Sequence, residues 1–302
     1  MSIPLPLATE SPLCSDFARK HAIDPGGSSL APDVVVLVEV AEPWPKPVAK
    51  HADMARLVVV AQAHPEHVRL LAAIPHDVSA PRVISFRPTD TGMQRRERRL
   101  GVDPITALRE VLAVDREPEI LRAEGTARTM LICTQGSHDV CCGTDGSEFA
   151  AVMEQRRDDV EIFRVSHTGG HRFAPTAMTL PDGRMWAYLT PDIADAIIDR
   201  TADAPIAAEH CRGWWGAPTG PAQIAERAVF ALLGFELDHR PRSVTVSNGP
   251  RGTDVAVQVD DEIFDVRVEL GREVPTIACG ATGGQPAKPG REWVVTFGPS
   301  VR

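Results

Sequence analysis

Apolar residues follow two rhythms along this chain: unbroken or alternating runs that predict strands, and three- and four-residue spacings that predict helices. Val34–Val40 is an aliphatic run broken only by Glu39, the pattern of a strand buried on both faces, and it ends at the proline-rich turn EPWPKP. Val48–Gln62 reads as a helical or mixed segment, and Val68–Ile74 and Arg82–Phe86 as further strands. Ile105–Val114 fits helix and strand equally, because a short apolar run does not settle the period. Farther on, ARTMLICT at Ala127–Thr134 predicts a buried strand that delivers Cys133 to its end. Gly146–Arg156 places Phe149, Ala150 and Met153 on one helical face, and Asp159–Ser166 predicts a strand that delivers His167 to its end. Ala177–Leu180 and Met185–Leu189 flank Pro181-Asp182-Gly183, a hairpin signal. Asp192–Asp199 and Pro221–Leu233 read as helices, each with a proline near its start. Beyond about Ser243 the stretches Ser243–Ser247, Val255–Val259, Ile263–Leu270 and Trp293–Phe297 alternate apolar and polar residues between Gly and Pro turns, which predicts a small antiparallel sheet.

The pattern predicts an α/β chain in three consecutive parts. Residues 1–126 form an N-terminal α/β unit. Residues 127–235 run strand, helix, strand, hairpin, helix, the order of a thioredoxin-like domain. Residues 236–302 form a C-terminal β extension. A length of 302 residues suffices for two modest domains with real cores, and 43% apolar and 24% charged residues are ordinary for a globular protein. No apolar run approaches a membrane span, and MSIPLPLATESPLCSD has neither the basic nor the apolar region of a secretory signal. A cytoplasmic protein with reduced thiols and no membrane association is expected, so clustered cysteines point to metal or redox chemistry rather than disulfides. The net charge of −9 argues against a nucleic-acid partner and leaves room for a basic redox partner protein. The basic run Arg95–Arg99 reads as a solvated loop or helix face.

The chemistry concentrates between Cys133 and His171. Cys133 and Cys142 in CTQGSHDVCC, with His167 and His171 in SHTGGHRF, supply two thiols and two imidazoles. Cys-x8-Cys does not fit the short knuckle of a zinc finger. HTGGH lacks the glutamate of a zinc-protease helix, and its two glycines disfavour a helix. An iron–sulfur cluster with mixed Cys/His ligation fits the residue types. Structural Zn²⁺ is compatible with the same four donors. The vicinal Cys141 remains an alternative to Cys142, a packing residue or a reactive thiol. A thiol–disulfide oxidoreductase is the third class, for which Cys141-Cys142 is a poor substitute for Cys-x-x-Cys. The Gly-Gly pair between the histidines lets the backbone fold tightly enough for both rings to face one atom. Arg172, beside His171, is a candidate for a cation or hydrogen bond near the cluster, with an ordinary surface salt bridge as its alternative. Trp214 and Trp215 read as packing anchors. Cys14, Cys211 and Cys279 have no partner set by sequence and are treated as non-ligands.

CTQGSHDVCC, SHTGGHRFAPTAMTLPDGRMWAYL and CRGWWGAPTGPAQIAERAV closely resemble the sucrase/ferredoxin-like family. Weaker likeness at Cys14-Ser15, Val34–Val40 and Pro43-Trp44 extends the resemblance over most of the chain. The resemblance implies a thioredoxin-like ferredoxin domain with a [2Fe–2S] cluster on Cys133, Cys142, His167 and His171. It favours Cys142 over Cys141, and leaves Arg172 and Cys141 as neighbours of the cluster. Gln135 and Thr176 depart from the family pattern, which commonly has His and Asn there, and neither is a ligand in it. A one-electron carrier follows, with proton-coupled redox chemistry through the imidazoles and a redox partner protein of unnamed identity. Sucrose hydrolysis, which the family name invites, needs two carboxylates across a sugar cleft, and the sequence marks no such pair.

Overall fold

Five consecutive aliphatic residues, Val34–Val38, are wholly buried in the computed structural model of this protein, which describes residues 3–89, 92–101, 103–113, 119–121, 128–137, 139–249 and 252–301. Four sequence landmarks lie outside the described residues: Val114, the 126/127 boundary, Ala127 at the start of the expected strand, and His138 of the cysteine motif. Contacts group the chain into two compact units, each assembled from separated segments. One comprises residues 1–31, 169–179 and 183–302; the other comprises 32–168 with 180–182. The chain starts in the first unit with helix α1 (Cys14–Lys20).

The second unit is a mixed sheet covered by helices. Its strands are β1 (Val34–Glu39), β2 (Val68–Ala73), β3 (Arg82–Thr89), β4 (Gly92–Arg99), β5 (Glu119–Leu121), β6 (Arg128–Cys133) and β7 (Val160–Val165). They lie in the order β6-β7-β2-β1-β3-β4-β5. Two parallel pairs, β1 with β2 and β6 with β7, meet where Ala73 opposes Val165 antiparallel. Helix α2 (Ala52–Gln62) places Met54, Leu57 and Ala61 against Val34, Val36 and Val38 of the central strand. The ambiguous run after Asp103 is helix α3 (Pro104–Leu112): Asp103 caps it by accepting from the Ile105 N–H, and Pro104 occupies its first position. Its buried face of Ala107, Leu108, Val111 and Leu112 joins the same core. Glu39, the break in the aliphatic run, is buried against Arg82, whose Nη2 donates to its carboxylate over 2.7 Å. Helix α4 (Ser147–Arg156) buries Phe149, Ala150 and Met153 as its spacing predicts.

The basic run departs from expectation. Arg95–Arg99 belongs to strand β4, not to a solvated loop or helix face. Alternation explains it: Arg95 bonds Glu161 at 2.6 Å, Arg98 bonds Glu110 at 3.0 Å, and Arg96 turns inward to the Ala113 carbonyl. Neutralised in this way, a charged run can occupy a sheet.

In the first unit β8 (Ala177–Leu180, of which Leu180 groups with the second), β9 (Arg184–Trp186) and β10 (Cys211–Trp214) form an antiparallel meander, with α5 (Pro191–Ile198) and α6 (Ala204–His210) between the last two strands. Helices α5 and α7 (Gly220–Leu233) each start at a threonine whose hydroxyl accepts a backbone N–H, Thr190 from Ile193 and Thr219 from Ala222, followed by a proline in the first turn. Helix α7 packs on a separate four-stranded antiparallel sheet of β11 (Arg242–Gly249), β12 (Gly252–Val259), β13 (Glu262–Glu273) and β14 (Arg291–Val301). The inward residues Val255, Val257, Val259, Phe264, Val266 and Val268 are buried, the alternation read from the sequence. No helix among the described residues is long and apolar enough to cross a membrane.

Candidate metal centre

Parallel strands β6 and β7 end side by side, with Cys133 opposite Val165. Cys133 closes β6, and His167 follows β7 by two residues. Their side chains therefore emerge at the same end of the sheet, where loops rather than strand pairing decide what is presented. After Cys133 the chain loops back and enters the sequence Cys142–Gly146 as a π-helical turn that runs into α4. Turns of this kind are rare and recur at functional sites. Two glycines permit it. A Cβ on Gly146 would stand 2.2 Å from the Cys133 carbonyl oxygen, and one on Gly143 would stand 2.4 Å from the Gly136 Cα. The helix start can thus press onto the Cys133 loop, and this brings Cys142 to Cys133.

One ligand atom each from Cys133, Cys142 and His167 lies within 4.8 Å of the other two. Both cysteines are buried and His167 is half-buried. The Cys142 thiol hydrogen-bonds Cys133; burial opposes ionisation of Cys133, yet the His167 ring and the Thr168 N–H add to that bond and hold its thiol well below the ordinary range. The same bond, then burial, pushes Cys142 up. The hydrogen bond between them thus favours ionisation at Cys133 over Cys142.

The backbone of His167 is clamped on both sides. Its N–H donates to the Gln135 Oε1 at 2.9 Å, and its carbonyl accepts from the Arg69 Nη2 at 2.6 Å. Gln135 is anchored in turn, its Nε2 donating to the Pro45 carbonyl at 2.9 Å. Next door, the Ser166 N–H donates to the Ala72 carbonyl and its hydroxyl accepts from the Ala72 N–H. Beside the two strand ends, the hydroxyls of Thr134 and Thr168 are buried and meet no hydrogen-bond partner among the described residues. Buried donors of that kind suit a site whose acceptor is a bound inorganic group. Two sulfurs, one imidazole and two hydroxyls unsatisfied among the described residues fit a soft or borderline metal centre.

The other residues singled out by sequence have contacts of their own. His171 belongs to the first unit, in a single 3₁₀ turn, with its Nδ1 3.2 Å from the Cys14 Sγ. Between the histidines Gly169 and Gly170 both have left-handed φ, +82° and +68°, so the tight path expected of the Gly-Gly pair is one only glycine takes readily. Arg172 donates to the Thr276 hydroxyl, and its guanidinium lies 4.6 Å from the Phe173 ring centroid. Cys141 is buried, and its N–H donates to the Asp139 carboxylate at 3.0 Å. Cys14, left without a partner by sequence, has one in His171, and its N–H also reaches the Cys279 Sγ at 3.4 Å. Trp214 stacks under Arg242 at 4.0 Å, a packing role. Sequence reasoning passed over Gln135 as a clamp and Arg69 altogether. The available signals were a polar residue directly after the ligand strand and a single cation inside the apolar run Val68–Ile74.

A model of the sucrase/ferredoxin-like family matches residues 26–213, more than half of the chain. No curated protein and no solved structure matches it.

Proposed function

The chain belongs to the sucrase/ferredoxin-like family, and from that premise we propose that it is a one-electron carrier whose [2Fe–2S] cluster is held by Cys133, Cys142, His167 and His171. The observation that carries this reading is the convergence of Cys133, Cys142 and His167 at one sheet end. When bound, such a cluster supplies one reversible electron, and its two imidazoles set the potential above that of an all-cysteine centre. The surrounding residues do the rest. Cys133 is the more readily ionised of the two thiols, which suits it to ligation as the thiolate. Cys142 would hold the cluster as its thiolate. Gln135 and Arg69 fix the backbone that carries the His167 ring, and burial keeps water from both sulfurs. His171, whose Nδ1 lies 3.2 Å from the Cys14 Sγ, would supply the fourth donor. In this reading residues 127–235 are the thioredoxin-like ferredoxin unit, and a redox partner protein delivers or removes the electron.

Structural zinc on the same donors is the competing reading, since its ligand chemistry is compatible with two thiolates and imidazole. Anaerobic purification separates the two. A brown protein with iron, acid-labile sulfide and an EPR signal on reduction is expected; a colourless protein with stoichiometric zinc overturns the proposal. His167→Cys and His171→Cys should each retain a cluster with a shifted EPR spectrum. An unchanged spectrum in either variant removes that histidine from the ligand set.

A further inference from the structure

We propose that the cavity beside His167 binds a small organic anion, with Arg69 as its counter-charge. The cavity lies within the second unit, between α2 and the start of β2, and measures about 710 Å³, a size typical of small-molecule sites. Val48, Val58 and Leu70 give it apolar wall, while Arg69, Gln135 and His167 give it polar groups.

Arg69 makes the case for an anion. Other arginines of this unit have a carboxylate: Arg82 has Glu39, Arg87 has Glu66, Arg95 has Glu161 and Arg164 has Glu154. Arg69 has none among the described residues. Its Nη2 is used on the His167 carbonyl, while its Nε is shielded from solvent and meets no acceptor among the described residues. Glu66, the acid in the same wall, is committed to Arg87 through both carboxylate oxygens. A guanidinium drawn out of water without an acid costs free energy that an incoming anion recovers. Polar Gln135 is fully occupied by His167, Pro45 and Ser137, and beside His64 and His67 Arg69 is the arginine of the lining, its permanent cation. The apolar wall selects an anion with an organic body over a bare inorganic ion.

The test is calorimetric titration of the purified protein with benzoate and with phenyl phosphate, benzyl alcohol serving as the uncharged control. Saturable one-to-one binding of at least one anion and none of the alcohol is expected, and the tighter of the two assigns carboxylate or phosphate. Arg69→Met should weaken binding at least tenfold with unchanged circular dichroism, and Arg69→Lys should recover part of it. Val58→Trp fills the cavity and leaves Arg69 intact, and should abolish binding. Absence of saturable anion binding, or equal affinity in Arg69→Met, overturns the proposal. Iron content measured on the same samples keeps this outcome separate from that of the cluster, because the anion site requires no metal.

Discussion

At the scale of single residues, Gly146 decides whether the two cysteines meet. Its φ is an ordinary helical −67°, so backbone freedom is not the reason for glycine there. The reason is the Cys133 carbonyl, which a methyl group would approach to 2.2 Å. Gly146→Ala must push the π turn away from β6, and overpacking of this sort costs about 1–3 kcal/mol. The variant is expected to lose stability in urea by that amount and to bind less metal per chain, as read by elemental analysis; wild-type metal content would show that the turn is not what brings Cys142 to Cys133. Cys141 and Cys142 show how little separates a candidate ligand from its neighbour. Adjacent residues in a helical turn point about 100° apart, so one meets Cys133 while the other is held by Asp139 through its N–H.

At the scale of elements, the first unit is tied together by a buried charge network. Arg184 of β9 is fully buried and donates to Glu226 of α7 and to Asp238, both also buried, while Arg242 of β11 bonds Asp238 at 3.2 Å. The Arg184 guanidinium lies 3.9 Å from the Phe230 ring centroid, so its carbons and charge both contribute to packing. Arg184→Met leaves two buried carboxylates short of a partner, and breaking such a pair costs about 3–5 kcal/mol. Urea unfolding of the variant should show a midpoint shift of that size; a change below about 1 kcal/mol would mean that Arg242 takes over both acids. The helices and strands themselves were largely legible in advance. The C-terminal sheet, α5, α7 and the strand–helix–strand of β6, α4 and β7 follow from local periodicity, with threonine caps and prolines marking helix starts. Helices α1 and α6 were not anticipated, since seven residues of mixed character carry little periodic signal. The basic strand β4 was misread because its charges are neutralised by glutamates distant in sequence.

At the scale of the molecule, acid stability follows from carboxylates held by arginines. Burial opposes ionisation of Asp24, but the Arg227 guanidinium, with 2.5 and 2.6 Å contacts, keeps its carboxyl below the usual range. Burial likewise opposes ionisation of Asp238, and Arg184 and Arg242 overcome it. A carboxyl depressed in the folded state stabilises fully above its unfolded pKa of about 3.9, and that contribution is lost as pH falls through the folded value. Stability should therefore fall steeply below about pH 4. Asp24→Asn should be less stable than wild type at pH 7, with the difference shrinking in acid; a pH-independent difference in thermal midpoints would contradict the ion-pair account. The sequence by itself determined the α/β class, the strands and helices with strong periods, and the Cys/His residue types from which a centre can be built, because these depend on local spacing and side-chain chemistry. The tertiary structure alone decided that segments 1–31 and 169–302 share contacts across the intervening chain, with 180–182 excepted. It also decided that Cys142 meets Cys133, that Cys14 faces His171, and that Arg69 clamps His167 with no acid paired to it among the described residues. Each of these is a contact between residues far apart along the chain or a choice of direction at one turn, and neither is encoded in spacing.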